Sequence, residues 1–173
     1  MTVFEGITNY DRRMLLWCSK SRYYPSVIMG FRLLSRSGDG YIQILLPLLL
    51  LAFNNPQYNV FVKTLLLAFA IERGLYLLLK NTLKRPRPPE AIASFYSLVR
   101  ASDQFSFPSG HTMAAFLLAG LCFFQFSYMA APLYLWALLV GASRVVMGVH
   151  FPSDIVAGAF LGSAIAYAVT AAV

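Results

Sequence analysis

Charge is scarce in this sequence: Asp, Glu, Lys and Arg together make up 12% of its 173 residues. A soluble domain usually carries about 25%, so a water-facing globule is excluded by composition. Acidic residues are scarcer still, 7 against 14 Lys and Arg. They form no run of carboxylates of the kind that holds magnesium, and no metal or other cofactor is expected. There are two cysteines, Cys18 in a polar segment and Cys122 inside an apolar run, and a disulfide between them is not expected. The first apolar stretch is interrupted by Asp11, Arg12 and Arg13, which argues against a cleavable signal peptide.

What is abundant is apolar: 58% of the residues are hydrophobic, in long runs rather than amphipathic stripes. Such runs are what a bilayer selects. The net charge of +7 fits anchoring to anionic head groups and a site for an anionic substrate. A chain this apolar is a poor nucleic-acid binder, and none is expected as a partner.

The pattern predicts one all-α domain over residues 1–173, a polytopic transmembrane helical bundle. Residues 1–36 mix Leu15, Leu16 and Trp17 with Arg12, Arg13, Lys20 and Arg22, as one or two amphipathic helices lying in the membrane interface would. Residues 37–173 hold about five apolar spans: roughly 40–53, 58–82, 110–128, 131–149 and 154–173. The sequence Ser37-Gly38-Asp39-Gly40 breaks the chain before the first, and Asn54-Asn55-Pro56-Gln57 makes a turn after it. The single long connection, 83–109, opens with the stiff, basic Lys84-Arg85-Pro86-Arg87-Pro88-Pro89, and a loop of this length is more often functional than idle. Because spans alternate direction, Lys80, His111, His150 and Asp154 should all reach one face of the membrane.

Both histidines of the chain belong to that set. In Pro108-Ser109-Gly110-His111, Ser109 is a candidate N-cap, and the free N–H groups of a first helical turn attract anions. Gly110 would let a phosphate oxygen approach the backbone. Asp154, four residues after His150, can set the ring's tautomer and leave the other nitrogen free to attack phosphorus. Arg144 lies inside an apolar span, where a charge is costly and marks function. On an ideal helix, however, Arg144 and His150 are about 120° apart, so both meet one phosphate only if Arg144 bends round or the helix ends near Gly148. Lys80 and Arg87 would join Arg144 in neutralising a phosphoryl group. Lys84 and Arg85 read as an ordinary basic border.

Lys80 followed by Arg87-Pro88, then Pro108-Ser109-Gly110-His111, then Ser143-Arg144 with His150 and Asp154, resembles the type-2 phosphatidic acid phosphatase family. That family shares its site with vanadium haloperoxidases and glucose-6-phosphatase. The resemblance covers about residues 37–170, and every motif position matches without a gap. It implies a metal-independent hydrolase of a lipid phosphomonoester or diphosphate, working through a phosphohistidine. His150 would be the nucleophile, Asp154 its orienting carboxylate and His111 the acid and base. Lys80, Arg87, Ser109, Gly110 and Arg144 would hold the phosphate. Undecaprenyl diphosphate is the first candidate substrate, beside phosphatidate, phosphatidylglycerol phosphate and lipid A. The alternative is a protein that binds or transports phosphate lipids without turning them over.

Charge counting near the span ends favours a cytoplasmic active face, whereas resemblance to enzymes of exported lipids implies the outer one. The expectation adopted is a multi-pass protein of the cell (inner) membrane with its site facing the periplasm or outside. Gly158 and Gly162 form a small-residue pair suited to helix packing and, as one option, to a homodimer. Glu72 and Arg73 are expected to pair inside the bundle. Phe95, Tyr96, Phe105 and Phe107 are candidate contacts for an acyl or prenyl chain.

Overall fold

The structure is a computed structural model that describes residues 3–20, 25–101 and 103–172. Its elements are helical: α1 (Val3–Ser19), α2 (Pro25–Ser37), α3 (Tyr41–Ala52), α4 (Pro56–Leu83), the short α5 (Pro88–Ala91), α6 (Gly110–Phe126), α7 (Ala131–Val146) and α8 (Pro152–Ala172). No strand occurs among the described residues.

Local chemistry sets the boundaries. Pro56 opens α4 behind Asn55, whose side chain accepts the Gln57 N–H at 2.9 Å, an arrangement that satisfies one free donor of the first turn. A 3-10 turn, Ser127–Ala130, joins α6 to α7. After Val146 the chain reaches Gly148 at φ +79°, a conformation that glycine adopts without penalty, and Pro152 then starts α8.

Helix α6 is the axis of the bundle. Residues Thr112, Met113 and Ala115 to Cys122 are all buried, as expected of a helix apolar on every side. Its principal neighbour is α8, with α7 and α4 completing the surround. Gly158 and Gly162 make the α6–α8 approach possible. A Cβ at Gly158 would stand 2.8 Å from the Ser109 carbonyl oxygen, and one at Gly162 would stand 2.2 Å from that of Met113. Of the two options these glycines offered, packing within the chain is the one seen: their faces are filled by α6 of the same chain.

The outside of the bundle is apolar. Leu48, Leu49, Leu66, Leu67, Val156 and Phe160 are each more than half exposed. An uncovered apolar surface of this extent marks contact with another apolar phase. Among the described residues two segments are long and apolar enough to cross a membrane, Gly110–Val146, which contains α6 and α7, and Pro152–Ala172. Helix α4 is longer than α8, but Lys63, Glu72, Arg73 and Lys80 dilute its hydropathy. Helix α3 has 12 residues, about 18 Å at 1.5 Å per residue, short of a ~30 Å hydrocarbon core. Glu72 and Arg73, expected to pair inside the bundle, form no close ion pair. Glu72 is buried, whereas Arg73 is exposed and stands 4.9 Å from the centre of the Tyr76 ring.

Candidate active site

The C-terminal end of α4, the N-termini of α6 and α8 and the C-terminal end of α7 meet at one end of the bundle. There α4, α6 and α7, with the end of α2, the start of α3 and the loop before α6, border a cavity of about 1180 Å³, lined among others by Lys80, Arg87, Gly110, His111, Arg144 and His150. Six of the eight residues singled out from the sequence thus share one space. The other two, Ser109 and Asp154, are fully buried behind its wall, where the Ser109 N–H donates to the Asp154 carbonyl at 3.2 Å.

The angular conflict between Arg144 and His150 is resolved by helix termination. Because α7 stops at Val146 and the chain turns at Gly148, His150 sits in a loop and is not bound to helical phase. That loop is held from several sides. The Val149 N–H donates to the Arg144 carbonyl at 3.2 Å, and the Leu98 N–H to that of Met147 at 2.8 Å. Arg87 donates from Nη1 to the Val149 carbonyl at 2.5 Å. The imidazole is 2% exposed, and burial pushes its pKa down to about 4 against the opposing pull of Asp154. His150 is accordingly neutral at pH 7, the form in which a ring nitrogen can attack. Its Nδ1 stands 3.6 Å from Asp154 Oδ2, beyond hydrogen-bond length but well inside Coulombic range.

Asp154 is occupied elsewhere. Its Oδ2 accepts the Phe151 N–H at 2.8 Å, and its Oδ1 accepts from Arg85 Nη1 at 2.6 Å. Arg85 also donates to Asp11 Oδ2 at 2.6 Å and to Ser153 Oγ at 2.7 Å. Asp11, in α1, in turn accepts the Ser153 N–H at 3.0 Å. Burial alone would lower the Arg85 pKa, but Asp154 and Asp11 hold it above its ordinary value. The reading of Arg85 as a plain basic border is therefore corrected: it ties α1, the loop and α8 together beneath the His150 carboxylate partner.

Lys80 and Arg87 meet on a carboxylate that no motif in the sequence singles out. Asp103 accepts from Lys80 Nζ at 2.9 Å, from Arg87 Nη2 and from the Tyr76 hydroxyl, while Lys80 also donates to the Tyr76 oxygen at 2.9 Å. Burial would raise the Asp103 carboxyl, but these three donors draw it down to about 2. Asp103 thus places its own anion among the cations expected to hold phosphate.

Around α6 two expectations need adjustment. Ser109 is the N-cap of α6 by position, but its hydroxyl makes no capping bond and lies 3.0 Å from Thr112 Oγ1. The space beside Gly110 is taken by an aromatic ring, since a Cβ there would fall 2.7 Å from Tyr76 Cε2. On the other wall, His111 Nε2 is 2.8 Å from Asp39 Oδ1, and Arg144 Nη1 donates to Ser35 Oγ at 2.6 Å. Of the loop aromatics, Phe105 lines the cavity, Phe95 packs into the core and Tyr96 is exposed. No three His, Cys, Asp or Glu side chains come together as a metal ion would need, among the described residues.

Comparison with known proteins agrees with this architecture. The family model of the PAP2 superfamily matches residues 61–173. An undecaprenyl-diphosphatase of Sulfolobus acidocaldarius is 31% identical over 140 residues, which are 78% of this chain and 65% of that protein. Phosphatidylglycerophosphatase B of Bacillus subtilis is 40% identical over 111 residues, 57% of this chain and 51% of that protein. The chain thus spans between half and two thirds of the length of these curated relatives. The crystal structure of a transmembrane PAP2-type phosphatidylglycerolphosphate phosphatase from B. subtilis superposes with a TM-score of 0.80 at 25% identity, covering 96% of this chain and 85% of that one. With the family's match extending over well more than half of its residues, the chain belongs to the PAP2 superfamily.

Proposed function

We propose that this chain is an integral membrane phosphatase that releases phosphate from a lipid phosphomonoester or diphosphate through a phosphohistidine. The observation that carries the reading is the shared cavity: two imidazoles, His111 and His150, face the same space as Lys80, Arg87 and Arg144. Cations there would neutralise the phosphoryl oxygens as charge moves onto the leaving oxygen. Ser109 and Gly110, at the start of α6, would add backbone donors and the positive end of a helix dipole.

The steps follow from which groups carry protons. His150 attacks phosphorus through Nε2, the P–O bond to the lipid breaks, and His111 gives its proton to the departing oxygen. His111 then takes a proton from water, whose oxygen attacks the phosphohistidine; inorganic phosphate leaves and His150 returns to its neutral form. Asp154 would close its 3.6 Å gap to Nδ1 as the ring becomes charged, since catalytic contacts tighten when substrate is bound. Every atom and proton is accounted for by the chain, the lipid and water.

The exposed leucines of α3 and α4 and the outer face of α8 support a multi-pass position in the cell membrane, in which α4 crosses with α6, α7 and α8. The mouth would face the periplasm or outside, where exported lipid phosphates are met. The named relatives act on undecaprenyl diphosphate and phosphatidylglycerol phosphate, and an amphiphile suits a cavity bordered by membrane helices. The test is phosphate release from purified protein across phosphatidate, phosphatidylglycerol phosphate, undecaprenyl diphosphate and lipid A, beside His150→Ala. Turnover of at least one lipid, abolished by the substitution, is expected. Lipid binding without any release would instead favour a carrier of phosphate lipids.

A further inference from the structure

The stretch Ser35 to Gly40, the end of α2 and the turn into α3, lies before the residues matched by the family model, and its part from Ser37 to Gly40 was legible in the sequence only as a break. In the structure it runs along the inner wall of the cavity and is fastened there at three points. Ser35 Oγ accepts from Arg144 Nη1 at 2.6 Å. Ser37 Oγ accepts from Trp136 Nε1 at 2.9 Å. Gly38 presses on α7 so closely that a Cβ would stand 2.8 Å from Val140 Cγ1, and that same Cβ would be 3.5 Å from His111 Cδ2. Gly40 then takes φ +103°, a backbone that other residues rarely adopt, and as the N-cap lets α3 start at Tyr41.

These fastenings leave Asp39 with its Oδ1 2.8 Å from Nε2 of His111. We propose that Asp39 is the positioning residue of the proton-transferring histidine, holding the proton of Nε2 so that Nδ1 is the nitrogen that serves the leaving oxygen and then water. The inference rests on the phosphatase reading given above. A carboxylate bound to one ring nitrogen fixes the tautomer at the other and stabilises the imidazolium formed when the second nitrogen accepts a proton. In the first step Nδ1–H passes its proton to the lipid oxygen as the P–O bond breaks. In the second, Nδ1 takes a proton from the attacking water. Asp39 keeps its charge throughout.

The bland alternative is that the contact merely pins the turn to the bundle. The two differ in what the leaving group needs. An alkyl oxygen departs only with a proton, whereas 4-nitrophenolate departs without one, so loss of acid catalysis spares the aryl compound. The experiment measures first-turnover release from an alkyl lipid phosphate and from 4-nitrophenyl phosphate in purified full-length protein. Asp39→Asn should slow the alkyl substrate at least about tenfold while slowing the aryl substrate less than about threefold, with KM little changed. Asp39→Glu should restore most of the alkyl rate. Ser35→Ala, which frees Arg144 and not His111, should affect both substrates alike. Equal losses on the two compounds in Asp39→Asn, or no loss on either, would overturn the role of Asp39 and leave the phosphatase reading standing. A wild-type protein that cleaves neither compound would overturn that reading and this inference with it.

Discussion

Arg85 Nη1 lies 2.6 Å from Asp154 Oδ1, so the carboxylate beside His150 is held by a guanidinium 69 residues earlier in the chain. The same guanidinium bonds Asp11, and both carboxylates are fully buried. Arg85→Ala should therefore leave two buried carboxylates short of their cation, which costs about 3 kcal/mol when a buried pair is broken. A matching loss should appear in thermal unfolding in detergent, with phosphate release reduced as Asp154 shifts. Arg85→Lys should keep part of both, since a single ammonium cannot reproduce the fork to Asp11 and Asp154.

Asp103 makes competing use of Lys80 and Arg87. Asp103→Asn should let those cations bind an added anion more firmly, and inhibition by inorganic phosphate or orthovanadate should strengthen by about tenfold, the scale of one charge-assisted hydrogen bond. The carboxyl also makes stability depend on acid. Its folded pKa, about 2, lies below the ordinary 3.8. Its contribution is thus complete above 3.8 and is lost as pH falls through about 2. Melting curves of wild type and Asp103→Asn should converge across that window and stay apart above it.

His150, the proposed nucleophile, should be neutral well into the acid range. With two histidines in the chain, His111→Gln leaves His150 as the one imidazole that nitrogen NMR can report. Its titration should fall well below the ordinary 6.5, towards about 4, because burial disfavours the imidazolium. A midpoint at or above 6.5 would show a solvated ring or a far stronger Asp154 bond than the 3.6 Å separation allows.

Gly162 has no room to grow. Its missing Cβ would lie 2.2 Å from the Met113 carbonyl oxygen, so Gly162→Ala should force α8 away from α6 and cost about 1–3 kcal/mol, the range for overpacking. Because that surface is internal to one chain, the oligomeric state in detergent should not change. Light scattering beside a melting curve reads both.

Much of the site was legible because its motifs carry their spacing within short segments. The alternation of apolar runs then brought Lys80, His111 and His150 to one end, which is where they line the cavity. What could not be read was the set of partners. Asp39, Asp103 and Asp11 meet His111, Lys80 and Arg85 across separations of 72, 23 and 74 residues, and no local pattern encodes such pairings. All four aspartates of the chain end at or just behind the cavity, a concentration that composition alone could have flagged, because a buried acid in an apolar chain needs a cation. The Glu72–Arg73 expectation failed for a different reason. Adjacent helical residues project about 100° apart, so one faces the core while the other reaches the cavity.

The central claim concerns a bond between His150 and phosphorus, and rapid quench with a lipid labelled in its terminal phosphate tests it most directly. Expected is a protein-bound label that is lost in acid, survives alkali, maps to the peptide holding His150 and is absent from His150→Ala. Label on any other residue, or full turnover by His150→Ala, would contradict the account.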